Sequence, residues 1–170
     1  MSFKLGDKVI YPNQGVGVIQ DVCQRIIAGR QEEFYMLRIL SNNSTVMVPI
    51  SNADLVGLRK ICSEKQLSRL FEILENQSNE PDPDWKNRYK ENVEKMKTGS
   101  IFEVAEVFKN LFFLNSQKSL SFREKKMFDR ARHLVISEIA TVQKLPVDAV
   151  ELSVEEILAS AFRRSQAPIA

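Results

Sequence analysis

Val56-Gly57-Leu58-Arg59-Lys60-Ile61-Cys62-Ser63-Glu64-Lys65-Gln66 decides the fold, because one kind of sequence pattern gives way to another within it. Upstream, short runs over 7–11, 16–22, 34–40 and 45–50 are separated by turn residues at Pro12-Asn13-Gln14-Gly15, Ala28-Gly29-Arg30 and Ser41-Asn42-Asn43-Ser44. The run Phe34-Tyr35-Met36-Leu37-Arg38-Ile39-Leu40 carries strand alternation, so these residues predict a small antiparallel sheet or barrel. Gly15 and Gly17 flank Val16, which suits a bulge or a close backbone approach. No third glycine follows at nucleotide-loop spacing.

Downstream the period becomes helical. Ser63 with Gln66, Ser100 with Glu103, Ser121 with Glu124 and Ser153 with Glu156 are four Ser-x-x-Glu/Gln arrangements, each of which satisfies orphan amides at a helix start. The polar stretch 76–84, with Pro81 and Pro83, ends one helix, and Asp84 caps the next, running from Trp85 to about Lys97. Leu145-Pro146 separates the fourth helix from a fifth. The expected class is therefore α+β, with a β-module over 1–60 and a helical domain of about five helices over 61–170.

A chain of 170 residues, 44% hydrophobic, can bury real cores. Its apolar stretches are shorter than the roughly 20 residues of a membrane span, and Met1-Ser2-Phe3-Lys4 does not begin a signal peptide, so a cytoplasmic protein is expected. Cys23 and Cys62 lack CxxC spacing and the single histidine, His133, has no triad or metal partners nearby in sequence; neither catalysis nor a cofactor nor a metal is expected.

The formal net charge of +2 conceals an uneven distribution: residues 85–133 hold twelve basic and six acidic side chains. Such a regional excess points to an anionic partner, and nucleic acid heads the list. Within it, Asp84-Trp85-Lys86-Asn87-Arg88-Tyr89-Lys90 places the only tryptophan at a helix start among cations. Helical spacing groups Trp85, Arg88 and Tyr89, with Lys86 and Lys90 on an adjoining face. Cations neutralise phosphates while a ring stacks on or wedges beside a base. The bland alternative packs Trp85 into the helical core beneath a solvated lysine face. A second basic helix start, Phe122-Arg123-Glu124-Lys125-Lys126, is followed by Arg130 and Arg132 over a core stripe of Met127, Ala131, Leu134 and Val135. Two aromatic-led basic helix starts favour nucleic acid.

In the β-module, Thr45-Val46-Met47-Val48-Pro49-Ile50 has the character of an edge strand, since Pro49 lacks an N–H for a ladder. An edge invites strand addition by a partner, with Arg25 available for an ion pair; an edge merely protected by Pro49 is the alternative.

The ordered set of segments resembles the CarD/CdnL-type bacterial transcription regulators from Phe3 to about Ser160. The matching pieces include Phe3-Lys4-Leu5-Gly6-Asp7-Lys8-Val9-Ile10-Tyr11-Pro12, Val48-Pro49-Ile50, Trp85 with Arg88-Tyr89-Lys90, Gly99-Ser100-Ile101-Phe102-Glu103-Val104-Ala105 and Leu120-Ser121-Phe122-Arg123-Glu124-Lys125-Lys126-Met127.

The resemblance implies a Tudor-like β-barrel that docks on the β subunit of RNA polymerase through a sheet edge, here Met47, Val48, Pro49 and Ile50 with Arg25. It also implies a helical domain on promoter DNA at the upstream edge of the bubble. Trp85 would wedge into the minor groove, Arg88, Lys90, Lys125 and Lys126 would hold phosphates, and Tyr89 and Phe122 would complete the surface. The outcome implied is a stabilised open complex without a sequence-specific operator. A nucleoid-associated protein with no membrane or small-molecule partner is expected, a monomer in preference to a dimer, with dimerisation through the β-module left open by the sequence. Met47 stands where some members carry arginine, and Asn87 where relatives carry a basic residue. A protein-interaction adaptor without direct DNA binding is the competing class.

Overall fold

A computed structural model describes residues 2–76 and 83–166. The expected polar stretch therefore lies largely, at 77–82, outside the described residues. The chain forms two compact units, residues 1–61 and 62–170.

The first unit is one antiparallel sheet of β1 (Lys8–Tyr11), β2 (Gly15–Ile27), β3 (Arg30–Ile39), β4 (Thr45–Pro49) and β5 (Arg59–Lys60), in the order β4-β3-β2-β1-β5. Its turns follow their residues. Asn13 and Gly15 take the left-handed conformation between β1 and β2, Asn43 does so between β3 and β4, and Ala28-Gly29 closes the long β2–β3 hairpin with φ of 52° and 77°. Val9, Ile19, Tyr35, Leu37 and Val48 form the core with Phe3, whose amide donates to Tyr35 Oη at 3.1 Å.

Gly17 shows the close approach expected of it: a Cβ there would sit 3.3 Å from the Arg38 carbonyl oxygen. The bulge falls further on, between Ile19 and Asp21. Beyond it, β2 and β3 run on past the core to pair Cys23 with Phe34, Arg25 with Glu32 and Ile27 with Arg30. That arm is longer than the expected runs 16–22 and 34–40.

The second unit holds five helices: α1 (Glu64–Glu75), α2 (Trp85–Lys97), α3 (Ile101–Gln117), α4 (Phe122–Gln143) and α5 (Val147–Ser165). Together the units give the α+β class expected. α3 is the central element, packing on each of the other four and burying Val107, Phe108 and Leu111 completely. Ser63 and Gln66 form a reciprocal capping box, and Ser121 accepts from the Glu124 amide. Ser100 makes no side-chain cap bond.

Ser153 is not a helix start. It lies inside α5, which begins at Val147 after Lys144 ends α4 in a left-handed conformation and Pro146 enters with φ −60°. The buried stripe Val150, Val154, Leu158 and Ala161 continues without a break on either side of the exposed serine, and that packing overrides the local Ser-x-x-Glu signal.

α1 ends against two cations. Lys109 of α3, itself buried, donates from Nζ to the carbonyls of Ile73 (2.7 Å) and Asn76 (2.9 Å), and Arg164 of α5 reaches the Glu75 carbonyl at 2.7 Å. Burial lowers the Lys109 ammonium below its ordinary value, and the charge of Glu106 opposes that only partly.

Candidate nucleic-acid interface

α2 starts where Asp84 Oδ1 accepts the Lys86 amide at 3.1 Å. From there the helix buries Arg88, Asn92 and Met96, four residues apart on one face. Trp85, one turn before that stripe, remains 47% exposed, so it is not the buried staple of the bland reading. Lys86, Asn87 and Lys90 are exposed and Tyr89 is half-buried.

Arg88 departs from expectation. Its side chain was expected beside Trp85 on phosphate, but Arg88 is 6% exposed and its guanidinium grips Glu124 of α4. Nε lies 2.9 Å from Oε2, and Nη2 lies 3.2 Å from Oε1. A guanidinium spent on two buried hydrogen bonds faces the interior, and the position reads as a core position of α2.

Glu124 is 2% exposed and also accepts from Ser121 Oγ at 3.1 Å. Burial on its own raises a carboxyl pKa; here the bonds and charge of Arg88, with the Ser121 bonds, outweigh it and hold Glu124 below the ordinary value. The sequence shows Glu124 as a capping residue, and nothing local marks its partner 36 residues away.

The pair joins the first turn of α2 to the first turn of α4. Phe122, the first residue of α4, is 71% exposed, and Lys126 lies over its ring at 4.6 Å from the centroid. Arg123, Lys125 and Lys126 are exposed. Arg132 has other partners, reaching Glu151 and Glu155 of α5 at 3.6 and 3.7 Å. The site therefore comprises two capped helix starts, each led by an exposed aromatic residue and flanked by exposed lysines, with the positive ends of two helix dipoles beneath them.

In the first unit β4 is an edge of the sheet and pairs with β3 alone. The expected contact residues divide between its faces. Met47 pairs with Met36, Pro49 with Phe34, and Arg25 with Glu32, whose even-spaced β3 partners put all three residues on one face. Val48 opposite Tyr35 points into the core and is 2% exposed, so it offers a partner only its backbone. Ile50 begins a short 3₁₀ turn and packs partly on the same core.

Among the described residues no group of three His, Cys, Asp or Glu side chains can hold a metal ion, and no helix is long and apolar enough to cross a membrane.

Two family models match the chain in order: the CarD-like/TRCF RID domain over residues 3–62 and the CarD C-terminal domain over residues 69–155. The chain is 33% identical over 141 residues to the Bacillus subtilis (strain 168) protein named "Putative transcription factor YdeB", covering 83% of this chain and 92% of that one. Among solved structures it is similar to CdnLNt from Myxococcus xanthus, at 48% identity over 38% of this chain and 90% of that one, with a TM-score of 0.33. It is also similar to the 72-residue N-terminal domain of Myxococcus xanthus CarD, at 34% identity over 35% of this chain and 79% of that one, with a TM-score of 0.31. With both domain models matched in their order and a relative one-third identical over most of its length, the chain belongs to the CarD family of transcription factors.

Proposed function

We propose that this transcription regulator binds the β subunit of RNA polymerase along β4 and stabilises the promoter open complex through contacts of the α2 and α4 starts with DNA at the upstream edge of the bubble. The observation that carries the DNA half is the exposure of Trp85 and Phe122, both apolar, among Lys86, Lys90, Lys125 and Lys126 on two helix starts joined by a buried ion pair. A half-exposed indole at a helix start, flanked by cations, suits a wedge beside an opened base step. The lysines neutralise backbone phosphates without reading base edges, so the contact is not sequence-specific.

For the polymerase half, support comes from the unpaired edge of β4, from Met47, Pro49 and Arg25 sharing one face, and from the match to a domain type shared with TRCF. The decisive test measures open-complex lifetime with the full chain on a promoter that responds to it. Trp85→Ala is expected to shorten the lifetime while leaving polymerase capture intact, and Met47→Glu to abolish capture. An unchanged lifetime with Trp85→Ala refutes the wedge. DNA affinity that does not fall with salt favours instead an adaptor that binds only protein.

A further inference from the structure

Trp85 and Phe122 open different helices, so their use as one surface requires that the mutual placement of α2 and α4 be fixed at their first turns. We infer that Arg88 and Glu124 are positioning residues for this surface: they touch no DNA, and their buried pairing locks the two helix starts into a single basic and aromatic face. The inference rests on the DNA-binding reading above.

Several observations converge on it. The pair is bidentate, at 2.9 and 3.2 Å, and a planar fork on a carboxylate fixes orientation as well as distance, which a single lysine contact does not. The carboxylate is tied in turn to its own helix start, because Ser121 Oγ donates to Oε1 and accepts the Glu124 amide at 3.2 Å. The path from Trp85 to Phe122 therefore runs through helical backbone and hydrogen bonds: three residues from Trp85 to Arg88, across the pair, and two residues back to Phe122.

A packed apolar pair would stabilise such a core position as well as an ion pair does, so stability alone does not account for burying two charges here. The burial has an electrostatic consequence too. Glu124 sits within Arg123-Glu124-Lys125-Lys126. An exposed carboxylate there would repel phosphate, and its withdrawal onto Arg88 leaves only cations outward in that segment.

Glu124→Gln provides the discriminating experiment. It removes a negative charge from a phosphate-binding face, so electrostatics alone predicts tighter DNA binding. Positioning predicts the reverse: about a ten-fold loss of affinity for a forked duplex, measured by fluorescence anisotropy on the full chain, matched by Arg88→Met. The double variant Arg88→Met/Glu124→Leu fills the site with apolar side chains. It is expected to recover stability, followed by circular dichroism, without recovering DNA affinity.

Tighter or unchanged binding by Glu124→Gln, measured where circular dichroism shows it folded, overturns the inference, as does wild-type affinity in the double variant. Lys86→Ala, Lys90→Ala and Lys125→Ala separate the two levels. If they leave binding unchanged, the DNA reading itself fails; if they weaken it and Glu124→Gln does not, only the positioning role fails.

Discussion

Breaking the Arg88–Glu124 pair from each side, and then from both, gives a prediction whose size follows from burial. Both side chains are almost wholly enclosed, at 7% and 3% exposure. Arg88→Met strands a carboxylate, and Glu124→Leu strands a guanidinium. Removing one member of such a pair costs roughly 3–5 kcal/mol, a large part of the 5–15 kcal/mol that holds a typical domain. Removing both leaves no orphan charge, and the remaining penalty is mainly the lost Ser121 bond, about 1 kcal/mol. The double variant is thus expected to be more stable than either single variant, a strongly non-additive cycle.

Urea unfolding followed at 222 nm, with m-values compared across the four proteins, measures the cycle. Acid provides a second axis. Because the folded-state pKa of Glu124 is depressed, the unfolded chain takes up the proton first as pH falls. The contribution of the pair is complete above the ordinary glutamate value of 4.5 and is lost as pH falls through the lower folded value. The gap between wild type and Glu124→Leu should therefore be full at pH 7 and narrow below pH 4.5. Single variants costing under about 1 kcal/mol, or costs that simply add, would refute the account of a buried and mutually dependent pair.

On the proposed reading, four lysines at phosphate, Lys86, Lys90, Lys125 and Lys126, give log affinity against log salt a slope of about −3.6 on duplex DNA, and each Lys→Ala variant reduces its size by about 0.9 in a salt titration. Lys109→Met leaves the Ile73 and Asn76 carbonyls without their charged donor and should cost roughly 2–4 kcal/mol in denaturant unfolding. Since burial depresses the Lys109 pKa, the unfolded chain holds its proton more tightly. Wild-type stability relative to that variant should rise as pH climbs from the folded value toward 10.5. Ala28, held at φ 52° before Gly29, is strained in a turn that prefers Asn-Gly, and Ala28→Asn should stabilise the first unit by about 0.5–1 kcal/mol, read as a raised thermal midpoint.

Which parts of this architecture are legible in the chain depends on whether the signal is local. The turns at Asn13-Gln14-Gly15, Ala28-Gly29 and Asn42-Asn43 are written in residues that tolerate positive φ or precede one that does, and Ser63 and Ser121 cap the helices they announce. The outer arm of β2 and β3 is not legible in the same way. Between Asp21 and Glu33 almost every side chain is exposed, so no buried face imposes the alternation that marks a strand, and cross-strand pairing and the tight turn hold the ladder. Ser153-Val154-Glu155-Glu156 fails for the opposite reason: its cap chemistry is intact, but Val150 and Val154 belong to one continuous buried stripe. Arg88 is the instructive error at the candidate site. In sequence it is one more cation beside Trp85; its role depends on Glu124, which no pattern within α2 can show.

The basic excess of residues 85–133 also acquires a different meaning once its members are placed. Several of its cations are paired within the second unit: Arg88 by Glu124 and Lys109 by the end of α1, both buried, and at the surface Arg132 by Glu151 and Glu155, and Lys95 by Glu106 at 3.1 Å. Had those charges been left unpaired over the surface, the segment would be attracted to any polyanion in any orientation. With them paired, the exposed cations of the segment are Lys86, Lys90, Arg123, Lys125 and Lys126 at the starts of α2 and α4, where the helix dipoles add to the same potential, and Lys97 and Lys118 at the far ends of α2 and α3. Each paired cation also ties one helix to another: α2 to α4, α3 to α1, α4 to α5, α2 to α3. The internal pairs that lower the outward charge are thus the same pairs that order the helices. On the proposed reading, a nucleic-acid backbone meets at these two starts a cluster of exposed lysines marked by two aromatic rings, so the rings and not the summed charge of the unit set its orientation.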